Sequence, residues 1–180
     1  MNTNQETTQG ITKLNLDYVA NTSFQLDYSV IAKQNNSQEA TDVNSTARAE
    51  ADTNLDEKPV SVNQNLNMYY TLNPKNIFAI ESSYLYQYNE PLFNSLSTDQ
   101  PFSVLPTDPN QSIYNLFQFK EIRTHKVDFK LDYYYVINQK SNLNIAFGTT
   151  YLDQYYRSFI NQKLDDDSIK TLDEPDLINE

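Results

Sequence analysis

Six stretches of this chain place apolar side chains at every second position, a pattern that a helix would scatter around its axis and that a strand gathers onto one face. Leu14, Leu16 and Tyr18 alternate with Lys13, Asn15 and Asp17, and Phe24, Leu26, Tyr28, Val30 and Ala32 alternate with Gln25, Asp27, Ser29, Ile31 and Lys33. Val60, Val62, Leu66, Met68, Tyr70 and Leu72 form the third set, and Phe78, Ile80, Tyr84, Tyr86 and Tyr88 the fourth. The fifth set is Val127, Phe129, Leu131, Tyr133, Tyr135 and Ile137, opposed by Lys126, Asp128, Lys130 and Asp132. Leu143, Ile145, Phe147 and Tyr151 close the series. No segment of comparable length carries an apolar stripe at helical spacing. The chain therefore reads as all-β, with strands that are apolar on one face and polar on the other.

The punctuation between the runs sets the order. Tyr18-Val-Ala-Asn21, Tyr70-Thr-Leu-Asn73 and Tyr135-Val-Ile-Asn138 each end a run, and each is followed within a few residues by a new one opened by Phe or Leu. With Gly at only 2 of 180 positions, these turns must rest on Asn, Asp and Pro. The other connections, roughly 34 to 59, 89 to 112 and 154 onward, are long and polar. Short turns on one side and long loops on the other predict an antiparallel up-and-down meander of about six strands. The expected organisation is a loop or disordered start at 1–10, a β segment over 11–160 made of three hairpins (12–33, 60–88 and 113–153), and an acidic loop or tail over 161–180.

Two solvents can suit such a sheet. No window approaches the run of about 20 apolar residues that a membrane helix needs, but barrel strands alternate and escape that test. In the sixth run the apolar parity lasts from Leu143 to Tyr151 before meeting Asp153, about the 9 to 11 residues of a tilted spanning strand. Tyr beside the short turns suits an interfacial girdle, for which the candidates are Tyr18, Phe24, Tyr70, Phe78, Tyr135 and Leu143. Alternation alone equally allows a soluble antiparallel sheet whose apolar parity faces a protein core.

LNLDYVANTSFQLDYSV, LNMYYTLNPKNIFAIESSYLYQY and LDYYYVINQKSNLNIAFGTTYLDQYY each resemble a barrel hairpin of the TonB-dependent receptors or of similar outer-membrane β-barrel proteins. The resemblance covers roughly residues 11 to 160 and is one of texture, without a diagnostic motif. It implies a transmembrane barrel of about 22 strands with a plugged lumen in the bacterial outer membrane, and energised uptake of a large ligand such as an iron chelate or an oligosaccharide. The implied partners are outer-membrane lipid, the remainder of the same barrel, a plug domain and an energy-coupling inner-membrane complex. The chain departs from the family in showing no plug, coupling segment or signal peptide, and in ending on Leu177-Ile-Asn-Glu180 in place of an aromatic strand. It is therefore expected to be an internal arc of a larger barrel. A non-transporting barrel or surface adhesin is the alternative within the same fold.

Chemistry-bearing motifs are sparse. A net charge of −11 with thirteen scattered Lys and Arg argues against a nucleic-acid binder, and the absence of Cys removes disulfides and thiolate metal sites. Asp52, Asn54 and Asp56 set oxygen ligands at alternate positions but lack the central Gly and distal Glu of a calcium loop, so a solvated acidic loop is the simpler expectation. Asp165-Asp166-Asp167 reads in the same way, as an acidic tail. His125 is the single histidine, too few for zinc, and the Tyr84, Tyr86, Tyr88 ladder suits a girdle better than a sugar platform. With no phosphate loop, nucleophile elbow or metal-hydrolase motif, no enzymatic activity and no cofactor are expected.

Overall fold

A computed structural model describes residues 2–45, 48–100 and 105–172, with side chains left undescribed at 43–45 and 48–50. It is an all-β antiparallel sheet of nine strands, and no helix occurs among the described residues. The strands are β1 (Asn2–Asn21), β2 (Phe24–Ser45), β3 (Arg48–Glu57), β4 (Val60–Asn73), β5 (Asn76–Asn89), β6 (Leu92–Ser97), β7 (Tyr114–Asn138), β8 (Ser141–Lys163) and β9 (Ile169–Thr171). Sequential pairing of β1, β2, β4, β5, β7 and β8 gives the expected six-stranded meander.

The three extra strands correct the reading of the connections. Most of the stretch expected as a loop over 34–59 is strand: β2 runs on to Ser45 and β3 returns beside it. Pairing is continuous across each interruption, since β2 sets Gln34 opposite Val60 and Ser37 opposite Glu57 without a slip. β3 and β4 are thus one path broken at Lys58-Pro59. β5 and β6 are another, broken at Glu90-Pro91, with Asn89 opposite Ile122 and Leu92 opposite Phe119. Proline cannot donate to a ladder, so each break keeps one bond of its pair, from Asn35 N–H to the Pro59 carbonyl (2.9 Å) and from Lys120 N–H to the Pro91 carbonyl (3.1 Å). The start expected as loop at 1–10 lies in β1 from Asn2 onward, and the tail expected from 154 lies in β8 as far as Lys163.

The three short turns share one construction. The Oδ1 of Asn21 accepts the N–H of Ser23 (2.8 Å), that of Asn73 accepts Lys75 N–H (3.0 Å) and Asn76 N–H (3.1 Å), and that of Asn138 accepts Lys140 N–H (2.9 Å). Each is preceded by a one-residue register shift, between Val19 and Asn21, Thr71 and Asn73, and Val136 and Asn138. Tight hairpins favour positive φ because it matches strand twist, yet among the described residues only Asp167 has it (φ 64°). The bulge supplies the extra twist and the Asn side chain replaces the turn bond that glycine geometry would have favoured. Asn73→Ala is expected to cost about 1 kcal/mol, on the scale of a lost cap, and Asn73→Asp to cost less, both read as shifts in the urea midpoint of the folded protein.

Register places every apolar run on the same side of the sheet. One row across the strands reads Leu16, Tyr28, Leu66, Ser82, Phe129, Thr149, and the next reads Tyr18, Leu26, Met68, Ile80, Leu131, Phe147. Nothing among the described residues covers this face: Leu14, Ile145 and Phe147 are 61%, 54% and 66% exposed. The buried apolar cluster is small, consisting of Leu105, Leu116 and Leu172 with Ile160 packed on it. It sits at the far end of the opposite face, where the segment from 105 to 113 folds over β7 and β8. Wholly buried Gln162 fastens that segment by accepting Asp108 N–H (2.7 Å), while Asp165 accepts the N–H of Ser112 (3.0 Å). The outer edge of β1 is unpaired along its length among the described residues, and that of β8 is paired only where β9 covers Asn161 to Lys163.

Candidate functional site

The two faces present different chemistry, and each expected site residue falls on one of them. On the apolar face Phe24, Tyr70, Phe78, Tyr133 and Ile145 share a row, with Tyr18 one row above and Tyr135 and Leu143 one row below. The expected girdle residues therefore come together. Tyr133 completes them, stacking on Phe78 with ring centroids 4.9 Å apart and on Tyr135 at 6.5 Å. It lay in the apolar parity of its run, but proximity to a turn singled out Tyr135 instead.

A second aromatic group lies at the other end of the same face. His125 is opposite Tyr86 on one side and Asp153 on the other. Its ring lies 5.0 Å from that of Tyr86, and its Nδ1 is hydrogen-bonded to the Tyr84 hydroxyl at 2.9 Å. One row further, Arg123 lies over the Tyr155 ring (5.1 Å) and Tyr88 donates to Glu90, which pushes the Tyr88 hydroxyl up to about 12. Ten residues of β7 separate His125 from Tyr135, about 34 Å along a strand and about 25 Å in height at the tilt of a barrel strand. Between the two groups lie mixed rows, in which Leu14, Val30, Leu66, Met68, Ile80 and Leu131 alternate with Tyr28, Phe129, Phe147, Ser82 and Thr149.

The opposite face is polar and hollowed. Among the described residues it has clefts of about 610, 350 and 320 Å³. In the largest, the Asp128 carboxylate accepts from Thr150 Oγ1 (2.7 Å) and Ser83 Oγ (3.2 Å) and pairs with Lys126 (2.9 Å). Lys130 bridges Asp132 (2.8 Å) and Glu81 (3.7 Å). Asn65 and Asn67 line one wall and Gly148 the other. A Cβ on Gly148 would stand 3.4 Å from the Phe129 carbonyl, so that wall accepts little more bulk. These ion pairs were visible in the sequence as alternating charges, but their partners on β5 and β8 were not.

The candidate cation ligands do not converge. Asp52, Asn54 and Asp56 lie on β3, opposite Leu96, Asn94 and Leu92, so successive members are about 7 Å apart along an extended strand. Asp56 pairs with Lys58 (3.1 Å). Asp165, Asp166 and Asp167 build the turn between β8 and β9 rather than a tail, with Asp165 on Ser112 and Asp167 on Lys163 (2.6 Å). Asp166 accepts from the Ser168 hydroxyl and N–H, which lowers its carboxyl below the usual range. Among the described residues no group of three or more His, Cys, Asp or Glu could hold a metal. The expected tail beyond Leu172 lies outside the described residues. No protein-family model and no curated protein matches the chain.

Proposed function

We propose that the chain is an arc of an outer-membrane β-barrel, belonging to a ligand-uptake receptor of the TonB-dependent kind. The observation that carries this reading is the uncovered apolar face. Six runs align in register, aromatic groups around Tyr133 and around Tyr86 mark the two ends of their shared face, and the height between them is about 25 Å, the apolar band of a spanning barrel. In water such a face would have to be packed, and the buried cluster around Leu105, Leu116 and Leu172 is far too small and lies on the other side. The girdle then consists of Tyr18, Phe24, Tyr70, Phe78, Tyr135 and Leu143, extended by Tyr133. The polar face with its clefts becomes the lumen wall, and the strand ends beyond His125 rise above the lipid.

Open edges support an arc rather than a closed barrel. Long unpaired edges invite further pairing, and β1 and β8 run in opposite directions, so each accepts one more antiparallel strand from the remainder of the barrel. Such a barrel would take a plug domain in its lumen and an energy-coupling complex at the short-turn side. Its role in this reading is transport. A non-transporting barrel or adhesin fits the same wall and differs by lacking a plug.

Fractionation of cells making the protein with its native flanking sequence tests the reading. Recovery in the outer membrane, with a β-sheet form that migrates differently on gels before and after boiling, is expected. A folded monomer soluble without detergent would sink it.

A further inference from the structure

We infer that the outward face of β7 and β8 above the lipid band is a two-fold contact between copies of this chain; this rests on that face being the exterior of a barrel. β7 and β8 pair without a shift from Asn115 to Val136, so His125, Arg123, Glu121 and Phe119 stay on the side of Val127 and Phe129. Opposite them stand Asp153, Tyr155, Arg157 and Phe159. Phe119 lies six residues beyond His125, about 20 Å along the strand and about 15 Å higher at the tilt of a barrel strand. That exceeds a headgroup layer of about 5–8 Å, so neither lipid tails nor headgroups cover it.

An apolar and aromatic patch nevertheless continues at that height. Phe119 and Phe159 stack with ring centroids 5.0 Å apart and remain partly exposed. Leu92, opposite Phe119, is 42% exposed, and Tyr155, one row below Arg157, is 38% exposed. The segment from 105 to 113 packs on the other face of the same strands, against Leu116 and Gln162. An outward patch held in water calls for a protein partner.

Charge makes that partner a second copy. Arg157 has no carboxylate partner among the described residues and lies over the Phe159 ring (5.4 Å). Glu121, directly opposite Arg157, reaches only Arg123 (3.7 Å). A closed two-fold contact must be complementary to itself, and a cation beside an anion, neither closely paired, meets that condition. With the axis along the membrane normal between them, Arg157 of each copy faces Glu121 of the other. The Phe119 and Phe159 rings of both copies then close together on one side of the ion pairs. Within the patch Arg123 and Arg157 balance Glu121 and Glu90, so two chains of net charge −11 meet there without local repulsion.

The test is sedimentation of the full protein, extracted from the outer membrane in a density-matched detergent. A dimer is expected, and Arg157→Glu and Glu121→Arg are each expected to raise its dissociation constant at least tenfold. Co-expressed with different tags, the two variants are expected to co-purify as a dimer of at least wild-type strength, since one copy then presents two acids and the other two bases. A pair acting only within one chain would be broken in both variants and would gain nothing from mixing. A folded barrel that stays monomeric, that associates only with a different protein, or whose dimer ignores both substitutions overturns the contact and leaves the barrel reading standing. Failure to reach the membrane at all overturns both.

Discussion

Phe147→Arg is expected to abolish assembly into a bilayer. Phe147 lies between the two aromatic groups of the apolar face, beside Leu131 and in line with Ile80, Met68, Leu26 and Tyr18. A cation at the midplane of a barrel's lipid face costs about 2–4 kcal/mol, a loss of roughly thirtyfold or more in the folded population. In water the same substitution, at a side chain already 66% exposed, would change stability by no more than about 0.5 kcal/mol. The two environments thus predict opposite outcomes. Folding yield into phospholipid vesicles, followed by the mobility difference between boiled and unboiled samples, reads the effect. Asn65→Arg, on the polar face one residue from Leu66, is the control and is expected to fold normally.

Lys130→Met is expected to destabilise the folded protein by about 3 kcal/mol. Asp132 is 2% exposed, and its Oδ2 lies 2.8 Å from Lys130 Nζ. In its row it stands between Ala79, also buried, and Ala146. Removing the lysine leaves an enclosed carboxylate without its counter-ion, which is the costly way to break a buried pair. The double variant Lys130→Met/Asp132→Asn is expected to regain most of the loss, because neither charge then remains. A denaturation cycle across the wild type, the two single variants and the double variant measures the coupling. If Lys130 acted only as an exposed partner of Glu81, the single variant would cost less than about 1 kcal/mol and the cycle would be additive.

The part of the fold legible in advance was the part where burial and hydration differ between the two sides of a strand. Leu131 and Lys130 announce two faces, and so do Leu66 and Asn65. β3 announces nothing: Arg-Ala-Glu-Ala-Asp-Thr-Asn-Leu-Asp-Glu is polar at both parities, as are the first residues of β1 and the last of β2. Such strands are held mainly by the ladder, which leaves no trace in side-chain periodicity. Hence the stretch from 34 to 59 read as a loop. Pro59 and Pro91 stand where a strand normally ends. Pairing with β2 and β7 carries the register past each of them.

Candidate residues divided along the same line. That Tyr18, Phe24, Tyr70, Phe78, Tyr135 and Leu143 share the short-turn end of one face could be read because each sits next to a turn signalled by Asn. Asp128 could not be recognised as a hub, nor Asn35 and Asn89 as neighbours of one proline, because their partners lie 22 to 45 residues away in the chain. Asp52, Asn54 and Asp56 looked like a loop of ligands only while the loop was assumed.

The sequence by itself determined that the chain is antiparallel sheet, where its three short turns lie, and which residues of the six alternating runs share a face, because alternation and the Asn turns are local properties of two or three successive residues. Only the tertiary structure decided that all six apolar sets align on one uncovered side, that two proline breaks leave the register intact, and that a hollowed polar face lies opposite. Those depend on which strand stands beside which, and cross-strand pairing is fixed by hydrogen bonds between residues far apart in the chain.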